Sequence, residues 1–376
     1  MKKTIILSIM ALAFAFTSAV KAEISLSGYQ EFFVGSANQN TYNGQDNNSD
    51  KDEAGIKNGQ YTRITANYSS TLDSGIDVSG VLTVMSRDCQ GGDTTNCNVV
   101  NHNFINLSGN FGTFSIGERF DAGAAMLSRM TASGPMSEPD GNQINAVFGA
   151  SDSDSTNSYG DGNEQGYASN ALKALYMSNV YSGFSFAVGF TPNMGENGTN
   201  VSGQATSVTN GKWTNFNDVL SVYGKYAVDI DGIGLELVYG QQTGNAGMVG
   251  TSHYNDLEES AYSVKVAYAG FSADYRKNEA DNSGLIKNGQ DGNDEGTSIC
   301  AQYDMGNLSV GACNVTTSFV DTSNRTNEAE TQTYSAEYNL GGGVKFGATY
   351  FDFEQVANSL TRTDMDGIAA RISVGF

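Results

Sequence analysis

The chain has 376 residues, of which 39% are apolar and 16% charged, with 45 glycines, 3 prolines and 20 basic against 41 acidic residues. Apart from the first two dozen residues, no apolar run approaches the roughly 20 residues of a spanning helix, so a helical membrane protein is excluded. The net charge of −21 argues against a nucleic-acid partner, because affinity for a phosphate backbone rests on lysine and arginine.

The N-terminus has the features of an export signal. Lys2 and Lys3 precede an apolar stretch from Ile5 to Phe16, and small residues lead to Ala22. This order predicts a secretory signal peptide over residues 1–22, since the apolar core is too short for a retained membrane anchor. Cleavage leaves a mature chain, residues 23–376, with 17 basic and 41 acidic residues and a net charge of about −24.

The mature chain contains four cysteines, an even number that suits an oxidising compartment. Cys89 and Cys97 flank a short polar segment. Cys300 and Cys313 lie in alternating segments on either side of Gly306-Asn307, and a two-residue turn there would place these two cysteines opposite each other. The sequence predicts two local disulfides, with free thiols as the alternative.

Alternation with a period of two recurs from end to end of the mature chain. In the segment from Phe184 to Thr191, for example, Phe184, Phe186, Val188 and Phe190 alternate with small or polar residues. A strand with one apolar and one small or polar face is the expected structure of such a segment.

The connections between these segments alternate between short and long. The seven tight turns are Asp73 to Gly75, Gly109 to Gly112, Asn179 to Gly183, Asp229 to Gly232, Ala269 to Gly270, Gly306 to Asn307, and Leu340 to Gly343. The eight long polar loops are Ser36 to Gly59, Asp88 to Asn101, Asp121 to Ser169, Pro192 to Asn217, Thr243 to Glu259, Glu279 to Gly296, Phe319 to Glu330, and Phe353 to Asp364. Fifteen connections predict sixteen strands.

Two architectures have strands of this kind. A soluble β-sandwich or propeller would show internal repeats or denser proline, neither of which is present. A transmembrane β-barrel has an even strand number, short periplasmic turns, long external loops, a lipid-facing apolar set and a polar lumen. The sequence predicts an all-β, 16-stranded antiparallel transmembrane barrel. Its interfacial girdles would include seven aromatics near strand ends, Tyr68, Phe190, Tyr226, Tyr239, Tyr268, Tyr303 and Tyr350.

Four segments resemble the Gram-negative general porins, the trimeric outer-membrane diffusion channels. These are Glu23 to Gly35, Phe104 to Phe120, Asn170 to Phe190, and the last strand from Ile368 to Phe376. The terminal Phe376, with apolar residues at alternate positions before it, is similar to the insertion signal read by the barrel assembly machinery. The resemblance implies an outer-membrane homotrimer that contacts lipid, lipopolysaccharide and periplasmic chaperones and passes small hydrophilic solutes.

The resemblance also implies that the third long loop, residues 121–169, folds into the barrel and narrows it. Its acids, with Asp121, Glu138 and Asp140 as the constriction candidates, would face a basic cluster on the opposite wall. On strand parity the wall candidates are Arg63, Arg87, Arg119 and Lys173, and the further lumen-facing charges are Lys225, Arg276, Lys345 and Arg371. The alternative for each basic residue is a solvated rim charge that pairs with a loop carboxylate.

The sequence has few residues suited to catalysis, since the only histidines, His102 and His253, have no evident nucleophile beside them. We expect no catalysis, no cofactor and no metal site. Weak calcium binding by the acidic segments Asp152 to Asp154 and Asp291 to Glu295 is the alternative, although neither matches the full twelve-residue calcium loop.

The resemblance implies a passive diffusion channel. The charge of about −24 predicts modest cation preference, because charge at the mouth and in the lumen selects ions by sign. Two alternatives remain: a substrate-specific channel, and a barrel that acts as an adhesin or receptor through its acidic loops.

Overall fold

The computed structural model describes residues 23–43, 47–51, 56–87, 98–127, 171–194, 208–209, 212–213, 215–287, 292–320, 326–357 and 361–376. The predicted signal peptide, Cys89, Cys97, and the constriction candidates Glu138 and Asp140 lie outside these residues.

Sixteen strands of the described residues form a closed antiparallel barrel, which confirms the predicted fold. Each strand pairs with its neighbour in the chain. The strands are β1 (Glu23–Asn43), β2 (Lys57–Thr71), β3 (Asp77–Arg87), β4 (Asn98–Gly109), β5 (Gly112–Glu118), β6 (Leu172–Met177), β7 (Phe184–Asn193), β8 (Asn217–Ile230), β9 (Ile233–Asn245), β10 (Leu257–Tyr268), β11 (Phe271–Asp281), β12 (Asn293–Met305), β13 (Leu308–Val320), β14 (Thr326–Gly341), β15 (Val344–Ala357) and β16 (Thr361–Gly375).

The barrel closes where the two ends of the chain meet. Strand β1 pairs with β2 on one side and with β16 on the other, so that Tyr29 lies between Arg63 and Gly375. Beyond β16, Phe376 exchanges two backbone hydrogen bonds with Gly28, both 3.0 Å long. The closed sheet has no unpaired edge, which a hydrocarbon environment requires.

The side chains alternate between the inside and the outside of the barrel. Along β8, Leu220 and Val222 are 44% and 46% exposed, whereas Ser221 and Tyr223 are 2% and 1% exposed. Successive side chains of a strand point to opposite faces, so one face forms an outer apolar band and the other lines the interior.

The seven tight turns lie where the sequence predicts them. In the turn between β10 and β11, Ala269 and Gly270 both have positive φ, 47° and 85°, as a two-residue primed turn requires. The turn between β8 and β9 uses Asp231 and Gly232 in the same way, and the Asp229 carboxylate accepts a hydrogen bond of 3.0 Å from the Gly232 amide.

At the opposite end of the barrel, the strands extend further into the long connections than the sequence predicts. Strand β1 continues to Asn43 and β2 begins at Lys57, whereas Ser36 to Gly59 was predicted as a loop. The same correction applies at Phe353 to Asp364, where β15 ends at Ala357 and β16 begins at Thr361. The residues at these strand ends are mostly polar and show no apolar alternation, so the sequence pattern does not mark them as strand.

Short secondary-structure elements lie in these connections. A five-residue strand, Asn47–Lys51, pairs with the end of β1, and two-residue strands occur at Val208–Thr209, Lys212–Trp213, Met248–Val249 and Ser252–His253. A short helix, α1 (Ala122–Met126), follows β5. No helix among the described residues has the length and apolar character needed to cross a membrane.

Cys300 of β12 and Cys313 of β13 are joined by a disulfide, and their Cα atoms are 4.1 Å apart. They are direct partners in the register, as the two-residue turn at Gly306-Asn307 predicts. Both side chains are buried on the inner face of the wall.

The outer face carries aromatic rings towards both ends of the apolar band. All seven predicted girdle aromatics are exposed there. Tyr226 is the register partner of Phe184 near the short turns, and Tyr334 and Tyr350 lie closer to the long loops with ring centroids 6.3 Å apart. Amphipathic rings at these heights suit the two interfaces of a membrane.

Candidate functional site

The interior of the barrel brings together several of the predicted charged residues. Arg63 on β2, Lys173 on β6 and Arg119, which directly follows β5, all point inward. The side chain of Arg87 and the loop acids Glu138 and Asp140 lie outside the part of the chain that the structure describes.

Arg63 contacts a histidine on the neighbouring wall. Its Nη2 atom lies 3.2 Å from Nδ1 of His102 on β4. The His102 ring is buried and meets the ring of Phe120 edge-on, with centroids 4.5 Å apart. A register shift between Thr83 and Val84 on β3 lies beside His102 in the β3–β4 ladder. A bulge of this kind redirects side chains locally.

Arg119 lies on the same side of the interior as Arg63. Its Nη1 atom donates a hydrogen bond of 2.6 Å to the Ser115 hydroxyl, and its guanidinium lies 4.7 Å from the centre of the Phe104 ring. Burial lowers the pKa of the Arg119 guanidinium to about 10, and the nearby Asp121 carboxylate opposes this shift. A stacked cation of this kind is held in place by the aromatic face.

The two arginines border a single recess in the inner wall of about 510 Å³. Tyr29, His102, Phe104 and Phe120 line it, together with the hydroxyls of Thr65 and Thr83. Among the described residues, neither guanidinium forms an ion pair with a carboxylate. We call this feature, with the side chains of Tyr29, Arg63, His102, Phe104, Arg119 and Phe120, the arginine recess.

Lys173 does not line the open interior, which corrects its prediction as a basic wall residue. Its side chain is only 2% exposed. Its ammonium donates hydrogen bonds to the backbone carbonyls of Arg119 and of Ala171, the second over 2.9 Å. Lys173 therefore ties the start of the third loop to β6. The alternation of residues along β6 predicts correctly that Lys173 points inward. It does not predict that the backbone at Arg119 and Ala171 covers the ammonium group.

Asp121 is also buried rather than presented to the interior as a constriction acid. It is the N-cap of α1, and its Oδ1 atom accepts a hydrogen bond of 2.8 Å from the Ala124 amide. Burial raises the pKa of Asp121, whereas the Ala124 amide and the Lys173 ammonium act in the opposite direction. The side chain fixes the local path of the loop.

Helix α1 packs against the inner face of the wall. Ala122, Met126 and Leu127 form a buried cluster with inward-facing residues of five successive strands, β6 to β10, namely Leu175, Ala187, Tyr223, Val238 and Ala261. Gly189 on β7 lies directly under α1, since a Cβ there would be at ordinary contact distance, 3.5 Å, from the Ala122 nitrogen. The described start of the third loop thus folds into the barrel and packs against its inner wall.

Three other inward-facing basic residues, Lys225, Lys345 and Arg371, form ion pairs with carboxylates. Lys225 pairs with Glu236 at 3.2 Å. Lys345 lies 2.9 Å from Glu337, and Arg371 bridges Glu337 and Glu31, the latter at 3.0 Å. Arg276 is buried beside Asp121 and Glu259, two carboxyl groups whose charge it offsets.

The described residues contain no cluster of three or more metal-ligating side chains. The candidate calcium segment from Asp291 to Glu295 is corrected in its described part, because Asn293, Asp294 and Glu295 belong to β12 and not to a loop. Asp294 is buried inside, whereas Glu295 is exposed and lies 3.7 Å from Lys277. Side chains on opposite faces of a strand cannot share one ion. The other candidate segment, Asp152 to Asp154, lies outside the described residues.

The comparisons with known proteins agree with this architecture. The Gram-negative porin family matches residues 8–358. No curated protein sequence matches the chain.

Several solved structures share the fold at low sequence identity. The outer-membrane channel DcaP of Acinetobacter baumannii has a TM-score of 0.65 at 10% identity, covering 96% of this chain and 99% of that one. OmpF of Salmonella typhi, solved in complex with daunomycin, has a TM-score of 0.59 at 13% identity, covering 94% and 97%. An anion-selective porin from Comamonas acidovorans has a TM-score of 0.55 at 14% identity, covering 95% and 100%.

The family match covers most of the chain, and the closed barrel with its outer apolar band is the fold of the structural neighbours. The protein is therefore an outer-membrane, multi-pass β-barrel channel that belongs to the Gram-negative porin family.

Proposed function

We propose that the protein forms a water-filled channel through which small hydrophilic solutes and ions diffuse passively, and that its third loop narrows the lumen. The observation that carries this proposal is the packing of α1 against the inner faces of β7, β8 and β9. Because the described start of the loop is buried against the inner wall, we propose that the rest of the loop also lies within the lumen. A loop held there restricts the size of the solutes that pass.

We further propose a modest preference for cations. The mature chain carries about −24, and its long loops are acidic, so cations are concentrated at the mouth. Arg63 and Arg119 oppose this preference locally, since they place two cations on the wall of β2 to β5. Glu138 and Asp140 on the loop would complete a transverse field across the lumen.

The test is the conductance and reversal potential of the refolded mature chain in a planar bilayer across a salt gradient. We expect large ohmic steps with weak cation preference. A folded barrel without conductance would contradict the channel, and clear anion preference would contradict the predicted sign.

Charge-removal variants sharpen the same measurement. Replacing Arg63 or Arg119 with glutamine should shift the reversal potential towards stronger cation preference. A Lys225→Gln, Glu236→Gln double variant is the matched control, because it removes an inward-facing ion pair with an N···O distance of 3.2 Å and leaves the net charge unchanged. An equal shift in all three variants would show that the wall arginines have no special position in the field.

We propose that the channel is a homotrimer, as the family resemblance implies. The outer face of β1 supports a protein contact there, because Gln30 is exposed between Gly28 and Phe32, within the apolar band. Its register partner on β2 is Thr62, a second polar residue. A polar pair is costly against lipid and is satisfied against another subunit. Cross-linking of a Gln30→Cys variant within an SDS-resistant trimer would support this face, and efficient labelling of that cysteine inside the intact trimer would contradict it.

The remaining proposed partners are the assembly machinery, periplasmic chaperones, and the lipid and lipopolysaccharide around the barrel. The exposed Phe376 ring at the end of β16 supports its role as an insertion signal. Replacing Phe376 with alanine should lower the amount of barrel assembled in the outer membrane without changing the conductance of the channels that do assemble.

A further inference from the structure

The ring of Tyr223 on β8 lies against a glycine of the neighbouring strand. Tyr223 and Gly240 of β9 are direct register partners, and both are buried on the inner face. A Cβ added at Gly240 would lie 2.1, 2.3 and 2.5 Å from three ring carbons of Tyr223, namely Cδ1, Cγ and Cε1. Glycine inside a strand often marks a place where another group approaches the backbone closely. Here it leaves the space that the Tyr223 ring occupies.

The same ring takes part in the contact between the third loop and the wall. Tyr223 is 1% exposed and belongs to the buried cluster that holds Ala122 and Met126 of α1 on the inner face. Helix α1 packs against β7, β8 and β9, the last two of which carry Tyr223 and Gly240. The ring therefore joins two contacts, one with the backbone of β9 and one with the cluster that seats α1.

The residues beside this pair on the inner face are small. The register partner of Tyr223 on β7 is Ala187, and that of Gly240 on β10 is Ala261. Both alanines are at most 1% exposed and belong to the same cluster. Tyr223 is thus the large side chain in a row of four. Because packed interiors resist compression, the position of its ring sets how closely α1 approaches the wall.

We propose that Tyr223 is a positioning residue for the third loop, and that Gly240 determines the size limit for solutes by letting the Tyr223 ring lie close to the backbone of β9. The inference rests on the proposed narrowing of the lumen by the third loop and names the residues that set its extent. An alanine Cβ at position 240 needs about 3.5 Å to the nearest ring carbon instead of 2.1 Å, so the ring must move by about 1.5 Å. The ring then pushes α1 towards the lumen.

The experiment compares the wild type with Gly240→Ala, Tyr223→Ala and the double variant in planar bilayers. Conductance is measured in potassium chloride, and the size limit is measured with polyethylene glycols of graded size. Gly240→Ala should lower the conductance and reduce the limiting radius by on the order of 1 Å, because α1 moves inward. Tyr223→Ala should raise both, since the cluster collapses partly into the space left by the ring. The double variant should behave as Tyr223→Ala, because the added Cβ then meets no ring.

Two further alanine substitutions are matched controls. Gly80→Ala creates a similar clash on the outer face, since its Cβ would lie 1.9 Å from the ring of Tyr68, its register partner on β2. It should lower the midpoint in heat-modifiability assays as Gly240→Ala does, but leave the conductance unchanged. Gly234→Ala adds a Cβ to the inner face of β9 itself, with nothing nearer than 3.8 Å, and should change neither quantity.

Two outcomes in the bilayer overturn the inference while the channel stands. One is a Gly240→Ala variant with the conductance and size limit of the wild type. The other is a double variant that loses as much conductance relative to Tyr223→Ala as Gly240→Ala loses relative to the wild type. If Gly240→Ala does not fold, an unchanged conductance in Tyr223→Ala overturns the inference in its place.

A crystal structure of Gly240→Ala tests the inference without a current. Helix α1 should lie farther from β9 than in the wild type, by about 1.5 Å at the Tyr223 ring. An unmoved helix overturns the inference. A folded wild type that carries no current contradicts the passive channel, and the position of α1 in the variant then still decides whether Tyr223 and Gly240 position the loop.

Discussion

Cys300 and Cys313 face each other across β12 and β13 on the inner wall of the barrel and are joined by a disulfide. Replacing both with alanine should lower the free energy of unfolding by about 2 to 3 kcal/mol, since the closed loop is short and the hairpin is already hydrogen-bonded. The measurement is urea unfolding in detergent. Peptide mapping without reductant should recover the two cysteines in one linked pair, and four alkylatable thiols would contradict the prediction.

Arg371 on β16 lies between two carboxylates, near the pairing of β16 with β1 that closes the barrel. It lies 3.0 Å from Glu31 and also contacts Glu337, and all three side chains are mostly buried. Arg371→Met should cost about 3 kcal/mol of unfolding free energy at pH 7, because it leaves two neighbouring negative charges without their main partner. The measurement is urea unfolding of the two proteins in detergent at pH 7.

Lys345→Met is the control for this prediction. Lys345 contacts the same Glu337 at 2.9 Å, but its side chain is 49% exposed and solvent screens its charge. Its loss should cost less than that of Arg371. Equal losses in the two variants would show that the network does not stabilise the pairing of β1 with β16.

Gly28 has no room for a side chain. An added Cβ would lie 2.3 Å from the Arg63 carbonyl oxygen and 2.9 Å from the Phe376 ring. Gly28→Ala should therefore lower the unfolding free energy by about 2 kcal/mol or more, since the backbone of β2 must shift. Gly234→Ala is the matched control, because its Cβ would meet nothing nearer than 3.8 Å. Similar midpoints in heat-modifiability assays for the two variants would contradict this account.

Met126 anchors the third loop through its burial between α1 and the wall. Met126→Ser should loosen this contact by about 2 to 3 kcal/mol, and we expect larger or noisier single-channel steps as the loop moves more freely. Met248→Ser is the control, since Met248 is 52% exposed in the connection between β9 and β10. Unchanged step size and noise in Met126→Ser would mean that α1 does not position the constriction.

The sequence predicts the barrel well because lipid and water impose opposite demands on alternate residues. Leu220 and Ser221 show this, because these neighbours on β8 are an apolar side chain on the outer face and a polar side chain on the inner face. The ends of β1 and β16 near the long loops were not predictable, because the residues there are mostly polar and show no apolar alternation, as in a loop.

The interior was predictable only in direction. The alternation of residues along the strands places Arg63 and Lys173 on the inner face. The burial of Lys173 depends on its contact with the backbone at Arg119, which is far from it in the sequence. His102 and Phe104 occupy alternate positions of β4, and this spacing indicates that both rings lie on the same face of the strand. Their contacts with Phe120 and Arg119 depend on the bend of the chain after Glu118.

The pairing of β1 with β16 has a consequence for biogenesis. The ion pair between Glu31 and Arg371 joins residues 340 positions apart, and Gly28 exchanges backbone hydrogen bonds with Phe376. Closure must wait until β16 has been synthesised, and long-range pairing of this kind is slow because the two strands must first find each other. Until then both edges of the sheet are open to other chains, so a truncated product would be a template for aggregation rather than a smaller pore.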